Sequence, residues 1–215
     1  MAEWSKAPAS KAGKQVILLR GFESRPLRHK EVKMKYAVFV IDMIHDFVDG
    51  KFKNEKAIEI IPNIKKLLNL AREKGIPVIF LRDAHEKGDP EENVWGAHAM
   101  KGTWGSEIVD ELSPKPSDYL IDKRTYSGFF KTDLELLLKK LEVESVILTG
   151  VSTNICVQHN AADLFFRGYG VIVASDGTAA FTEEDHELSL KYMETVYGAK
   201  ILKIDDILEM LKEEK

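Results

Sequence analysis

The sequence holds a single cysteine, Cys156, among 215 residues. One thiol cannot build an intrachain disulfide framework, so the composition fits a reducing, cytoplasmic compartment. No apolar run approaches the ~18 residues that a membrane-spanning helix needs. An excess of basic charge is also missing: 31 Lys and Arg stand against 35 Asp and Glu, a net charge of -4. That balance gives no reason to expect nucleic acid or a membrane as partner. Glutamine is scarce beside lysine and glutamate, a compositional trait of thermophilic proteins. What remains is 44% hydrophobic and 31% charged, enough for one substantial buried core.

Residues 1–33 read differently from the rest. They carry many basic residues and one compact apolar run, Val16-Ile17-Leu18-Leu19. That run is shorter than the roughly 7–15 residues at the centre of a secretory signal. Phe22-Glu23-Ser24 can be encoded by TTCGAATCC, which resembles the TΨC-loop consensus of a tRNA gene. The segment is therefore read as a non-core extension, with Met34 as the expected start and the domain over residues 34–215.

From Met34 the pattern alternates strand and helix. Tyr36 to Ile41 is a continuous apolar run, suited to a strand buried on both faces. Ala57 to Lys74 repeats apolar residues every three or four positions, an amphipathic helix closed by Gly75. Further strands are expected at 77–81, 118–121, 145–149, 170–174 and 199–202. Helices are expected at 134–141, from about 154 to 167, at 183–197 and at 204–212. Strands separated by helices in this way predict a three-layer α/β/α domain with a six-stranded, mostly parallel, Rossmann-like sheet.

Ligands in such sheets bind beyond the carboxyl ends of the strands, which makes those positions the first candidates for chemistry. Asp42 follows the first strand, Asp83 and His85 the second, and Lys123 the third. Gly150 to Cys156 follows the fourth and leads into a helix. A cysteine in the first turn of a helix, near a lysine, is expected to favour thiolate, and Asp42 could accept its proton. Taken singly, each has a bland reading: a packed thiol, a solvated lysine, a loop-bracing carboxylate. A second cluster, Asp83, His85 and His98 with Glu91 between, suits zinc, iron or manganese. The bland reading there is a pair of loop histidines. His45 and His159 have no patterned partners, and His29 and His186 read as surface residues.

Three motifs in order then match a known family. Val40 to Phe47 resembles a first-strand motif of hydrophobics followed by D-x-x-x-D-F. Lys123 to Phe129 resembles K-x-x-Y-S-x-F, and Gly150 to Val157 resembles G-V-x-T-x-x-C-V. The chain thus resembles the isochorismatase-like cysteine hydrolases over Met34 to about Lys203, and nicotinamidases more closely. The resemblance implies Asp42, Lys123 and Cys156 as a catalytic triad. It implies a cis peptide between Val151 and Ser152, and the backbone amides of Ser152 and Cys156 as oxyanion donors. It implies that Asp83, His85, Glu91 and His98 hold a divalent metal, zinc first, with iron or manganese as alternatives. Phe47, Trp95 and Tyr126 would wall the substrate ring. Nicotinamide would be hydrolysed to nicotinate and ammonia through a thioester, a step of NAD salvage, in a protein that forms homo-oligomers. The chain departs from the family pattern in a short loop between His85 and Glu91, and in Gly96-Ala97 where prolines are frequent. Other readings are a ureido or acyclic amidase, an isochorismatase-type ether hydrolase, which the metal set disfavours, and an inactive binding protein.

Overall fold

The computed structural model describes residues 35–213. The reading of residues 1–33 as an extension, and of His29 as a surface residue, falls outside that range. Strand β1, Tyr36–Ile41, is buried at all six positions, as its unbroken apolar run requires. A short helix α1, His45–Val48, follows at once, and then α2, Glu55–Glu73. Helix α2 begins two residues before the expected Ala57 because the Asn54 side chain caps it, accepting the Lys56 amide at 3.0 Å. Strand β2 is Val78–Asp83, α3 is Glu92–Trp95 and β3 is Tyr119–Lys123. Then come α4, Leu134–Lys140, and β4, Ser145–Val151. A π-helical turn, Thr153–Val157, feeds α5, Gln158–Phe166. Strand β5 (Gly170–Ala179), α6 (Glu183–Tyr197), β6 (Lys200–Leu202) and α7 (Ile204–Glu213) complete the fold.

The six strands pair in the order β3-β2-β1-β4-β5-β6, parallel throughout. Along β1 the side chains alternate between two cores. Val38 and Val40 pack with Ile64 and Leu68 of α2 and Ile207 of α7. Ala37, Phe39 and Ile41 pack with Leu134 of α4, Leu164 of α5 and Met193 of α6. The strand order reverses between β1 and β4, and the crevice at that switch point opens where both strands end. No helix among the described residues is long and apolar enough to cross a membrane.

Strand β5 departs most from expectation, running to Ala179 rather than Ala174. Ser175-Asp176-Gly177 breaks the apolar run, yet pairing resumes with Gly150 opposite Thr178 and Val151 opposite Ala179, across a register shift. A bulge absorbs the polar residues and lets the strand continue. Phe181, two residues beyond the strand end, thereby joins the lining of the crevice.

Candidate active site

Asp42 follows β1 with φ of 51°, a left-handed backbone that turns the chain sharply at the strand end. Its Oδ1 accepts the Asp83 amide at 2.8 Å, which ties the ends of β1 and β2 together. Lys123, the last residue of β3, is buried completely. Its Nζ lies 2.7 Å from Asp42 Oδ2 and 2.6 Å from Asp83 Oδ1. It also donates to Cys156 Sγ at 3.7 Å. The three residues singled out at strand ends thus meet in one buried cluster, with Asp83 as a fourth member.

Cys156 does not sit in the first turn of an ordinary α-helix. It lies in the π-helical turn before α5, a widened geometry that recurs at functional sites. The peptide Val151–Ser152 is cis, as the resemblance implied. The Ser152 carbonyl accepts the amides of Ile155 and Val157 at 3.0 and 3.1 Å, which fixes the turn. Asn160 holds it from the helix side, donating to the Cys156 carbonyl at 2.7 Å.

The electrostatics correct one expectation. Burial pushes the Cys156 thiol well above its usual range, and Lys123 does not overcome that. The resting group is a neutral thiol, because a desolvated thiolate beside two carboxylates costs more than one ammonium returns. Burial, then the neighbouring Asp83, raises Asp42 to about 7. For Lys123 burial opposes the charge, but Asp42 and Asp83 outweigh it and hold the ammonium firmly protonated. Asp83 is pushed up by burial and pulled down further by Lys123 and His85, so it stays ionised.

Asp83, His85, Glu91 and His98 converge beside this cluster, all four buried. One ligand atom from each lies within 4.8 Å of the others. His85 Nε2 is 3.6 Å from Asp83 Oδ2 and 3.6 Å from Glu91 Oε2. His98 Nε2 is 3.9 Å from Glu91 Oε2, and its Nδ1 pairs with the Gly96 carbonyl at 2.7 Å. Asp83 Oδ2, both His85 nitrogens and Glu91 Oε1 have no hydrogen-bond partner despite burial. Buried polar atoms are rarely left so. Two imidazoles and two carboxylates facing one point suit a divalent transition metal.

Above both clusters lies a cleft of about 470 Å³, including its open mouth. Phe47, Trp95 and Tyr126 line it as expected, along with Asp83, Glu91, His98, Ser152 and Cys156. Trp95 Nε1 donates to Tyr126 Oη at 3.0 Å, closing one wall. Phe52 and Phe181 also line the cleft and were missed by sequence reasoning. Phe52 meets His98 edge-on at 5.3 Å between ring centroids. Phe181 would have followed from the strand-end rule had β5 been drawn to its true end. The lesser histidines divide. His45 stacks on Trp104 at 4.1 Å and bonds Asp49, away from the cleft lining. His159 is exposed and tilts against Tyr126. His186 is not a free surface residue: it is half-buried, with Nδ1 2.8 Å from the Thr153 hydroxyl in the π-helical turn.

The isochorismatase domain model matches residues 36–206, nearly all of the described chain. The chain belongs to the isochorismatase family. Nicotinamidase 3 of Arabidopsis thaliana is 35% identical over 160 residues, spanning 72% of this chain and 78% of its own. An N-carbamoylsarcosine amidase from Thermoplasma acidophilum superposes with a TM-score of 0.76 at 37% identity, covering 80% of this chain and 98% of its own. The pyrazinamidase of Pyrococcus horikoshii, solved in complex with zinc, superposes at 0.72 with 30% identity, covering 79% and 99%. The chain is therefore an isochorismatase-family hydrolase, and its relatives act on more than one amide.

Proposed function

We propose that this isochorismatase-family protein is a metal-assisted cysteine amidohydrolase converting nicotinamide to nicotinate and ammonia. One observation carries the reading: an aromatic cleft, with no lysine or arginine among its described lining residues, has both the buried thiol and the metal-type cluster at its base. A flat, neutral, aromatic carboxamide matches that lining.

Asp42, raised to about 7, is matched to proton transfer near neutrality. It takes the Cys156 proton as the sulfur attacks the amide carbonyl. The negative charge of Asp42 thereby passes through the sulfur to the carbonyl oxygen, where the backbone amides of Ser152 and Cys156 receive it. Preorganised donors of this kind contribute about 2.7–4 kcal/mol each. Asp42 returns the proton to the departing nitrogen, ammonia leaves, and a thioester remains on Cys156. Asp42 next takes a proton from water attacking the thioester. Collapse releases the acid, and Asp42 hands its proton back to the departing sulfur, which restores both the thiol and the ionised base. Lys123 stays protonated throughout and balances Asp42 and Asp83. Asp83, His85, Glu91 and His98 would hold the metal, which supplies a Lewis-acid anchor for a heteroaromatic ring nitrogen. Zinc is the first choice, given the zinc complex of the similar pyrazinamidase.

The likeness to an N-carbamoylsarcosine amidase favours a second reading, the same thioester chemistry on a small ureido or acyclic amide. Ammonia release separates the two. With nicotinamide it is expected to be rapid, lost on chelation and restored by added metal. Release from ureido compounds alone would overturn nicotinamide while leaving the thiol chemistry in place.

A further inference from the structure

Resting on the reading of Asp83, His85, Glu91 and His98 as a metal site, we propose that Asp89, clamped by Arg124, orients and polarises His85 for the metal. Asp89 belongs to neither cluster, and no motif marked it. Its carboxylate is nonetheless buried, with Oδ2 3.4 Å from His85 Nδ1. The opposite ring nitrogen, Nε2, faces Asp83 and Glu91 at 3.6 Å each. The ring is thus divided, one nitrogen toward the metal ligands and the other toward Asp89. A ligating histidine works best when its second nitrogen donates to an acceptor that fixes the tautomer and raises its basicity. His98 solves the same problem with a backbone carbonyl, that of Gly96. At His85 the Asp89 carboxylate faces that nitrogen at 3.4 Å, an ion-pair approach that aligns the ring without a formed hydrogen bond.

The clamp explains why this carboxylate stays put. Arg124 Nε reaches Asp89 Oδ1 and Oδ2 at 3.0 and 3.1 Å. The Glu86 amide donates to Oδ2 at 2.8 Å, and Arg124 Nη1 also pairs with Glu86 at 3.0 Å. Arg124 directly follows Lys123, so one strand end serves both clusters: Lys123 balances Asp42 and Asp83, while Arg124 fixes the support of His85. The short loop between His85 and Glu91 acquires a purpose here. Asp89 is four residues beyond His85, and the tight Glu86–Asp89 turn closes at an Asp89 N to Glu86 O distance of 3.1 Å. That turn lets Asp89 fold back onto the ring while Glu91 enters the cluster.

The test is zinc affinity, read by competition with a chromophoric chelator, with the melting temperature of each metal-free protein as the measure of structural damage. Asp89→Asn keeps an acceptor for the Glu86 amide but removes the charge. It is expected to weaken zinc binding by about 10-fold or more, at an unchanged metal-free melting temperature, and Asp89→Ala by about 10–100-fold. Arg124→Gln should show a smaller loss of the same kind. Binding by Asp89→Asn within twofold of the unchanged protein would reduce Asp89 to a loop brace and overturn the proposal. If the unchanged protein bound no zinc, the metal reading itself would fall, and this inference with it.

Discussion

Asp83 Oδ1 lies 2.6 Å from Lys123 Nζ with neither side chain exposed, and that contact joins the metal-type cluster to the thiol cluster. One ammonium serves two carboxylates, because Lys123 also pairs with Asp42. The sharing is unequal. Asp83 stays ionised, whereas Asp42 is lifted to about 7 by burial and by Asp83 itself. The carboxylate shared with the metal-type cluster thus helps raise its neighbour toward the range of a general base.

Lys123→Met should therefore be costly. Removing one partner from a buried ion pair typically destabilises by about 3–5 kcal/mol, because uncompensated charge stays buried. Here two carboxylates are left. Their folded-state pKa values would rise above the unfolded ones, so the missing stability should be largest near neutral pH and recover as pH falls and both protonate. Urea unfolding of the metal-free variant at several pH values measures this. A loss that grew as pH fell would contradict the arrangement.

The pH profile of kcat/KM should carry an acid limb no higher than about 7, with activity falling tenfold per pH unit below it. Asp42 must be ionised to accept the thiol proton, and a bound cation beside Asp83 would draw the limb lower. The thiol itself, well above its usual range, adds no limb near neutrality. Stability runs the other way. A carboxyl whose folded pKa is raised from 3.8 to about 7 contributes stability fully present below pH 3.8, and lost as pH rises through 7. The site is most active where Asp42 stabilises the fold least.

Cys156→Ala should lower kcat by about 10⁴-fold or more, the scale seen when a unit of interdependent groups loses its nucleophile. Its zinc content should be unchanged, because Cys156 lies outside the Asp83, His85, Glu91 and His98 set. Mass spectrometry of substrate-quenched unchanged protein should detect an acyl adduct on Cys156. Turnover retained by the alanine variant would exclude the covalent route.

The apolar run of β1, the Gly75 stop after α2 and the strand-end positions of Asp42, Lys123 and Cys156 were legible in the sequence, because buried parallel strands leave unbroken apolar runs and ligands gather at their carboxyl ends. Phe181 was not, because a polar Ser-Asp-Gly bulge hid the second half of β5. The thiol's protonation runs against the expectation drawn from the helix start and Lys123, because strand-end positions show which groups converge but not how deeply the thiol is buried among them. Asp89 was invisible for another reason. Its partners, His85 and Arg124, meet it through a tight turn and across from β3, with no motif to mark the link.

Gly105 offers a test of how the loop carrying His98 is seated. A Cβ there would fall 2.4 Å from the Asp46 carboxyl carbon, closer than any real contact. Asp46 Oδ2 accepts the Ala99 amide at 2.6 Å, and Ala99 adjoins His98. Ala99 itself has φ of 42°, so the loop depends on being held in place there. In Gly105→Ala the Asp46 side chain must swing away, releasing that amide and with it the position of the His98 ring. Overpacking of this kind costs about 1–3 kcal/mol. The distinguishing readout is zinc affinity, which should weaken more than the change in metal-free stability accounts for. Asp46→Asn keeps the acceptor and should bind zinc nearly as the unchanged protein does. If Gly105→Ala lost stability and kept full zinc affinity, the seating of His98 would rest on the Gly96 carbonyl alone.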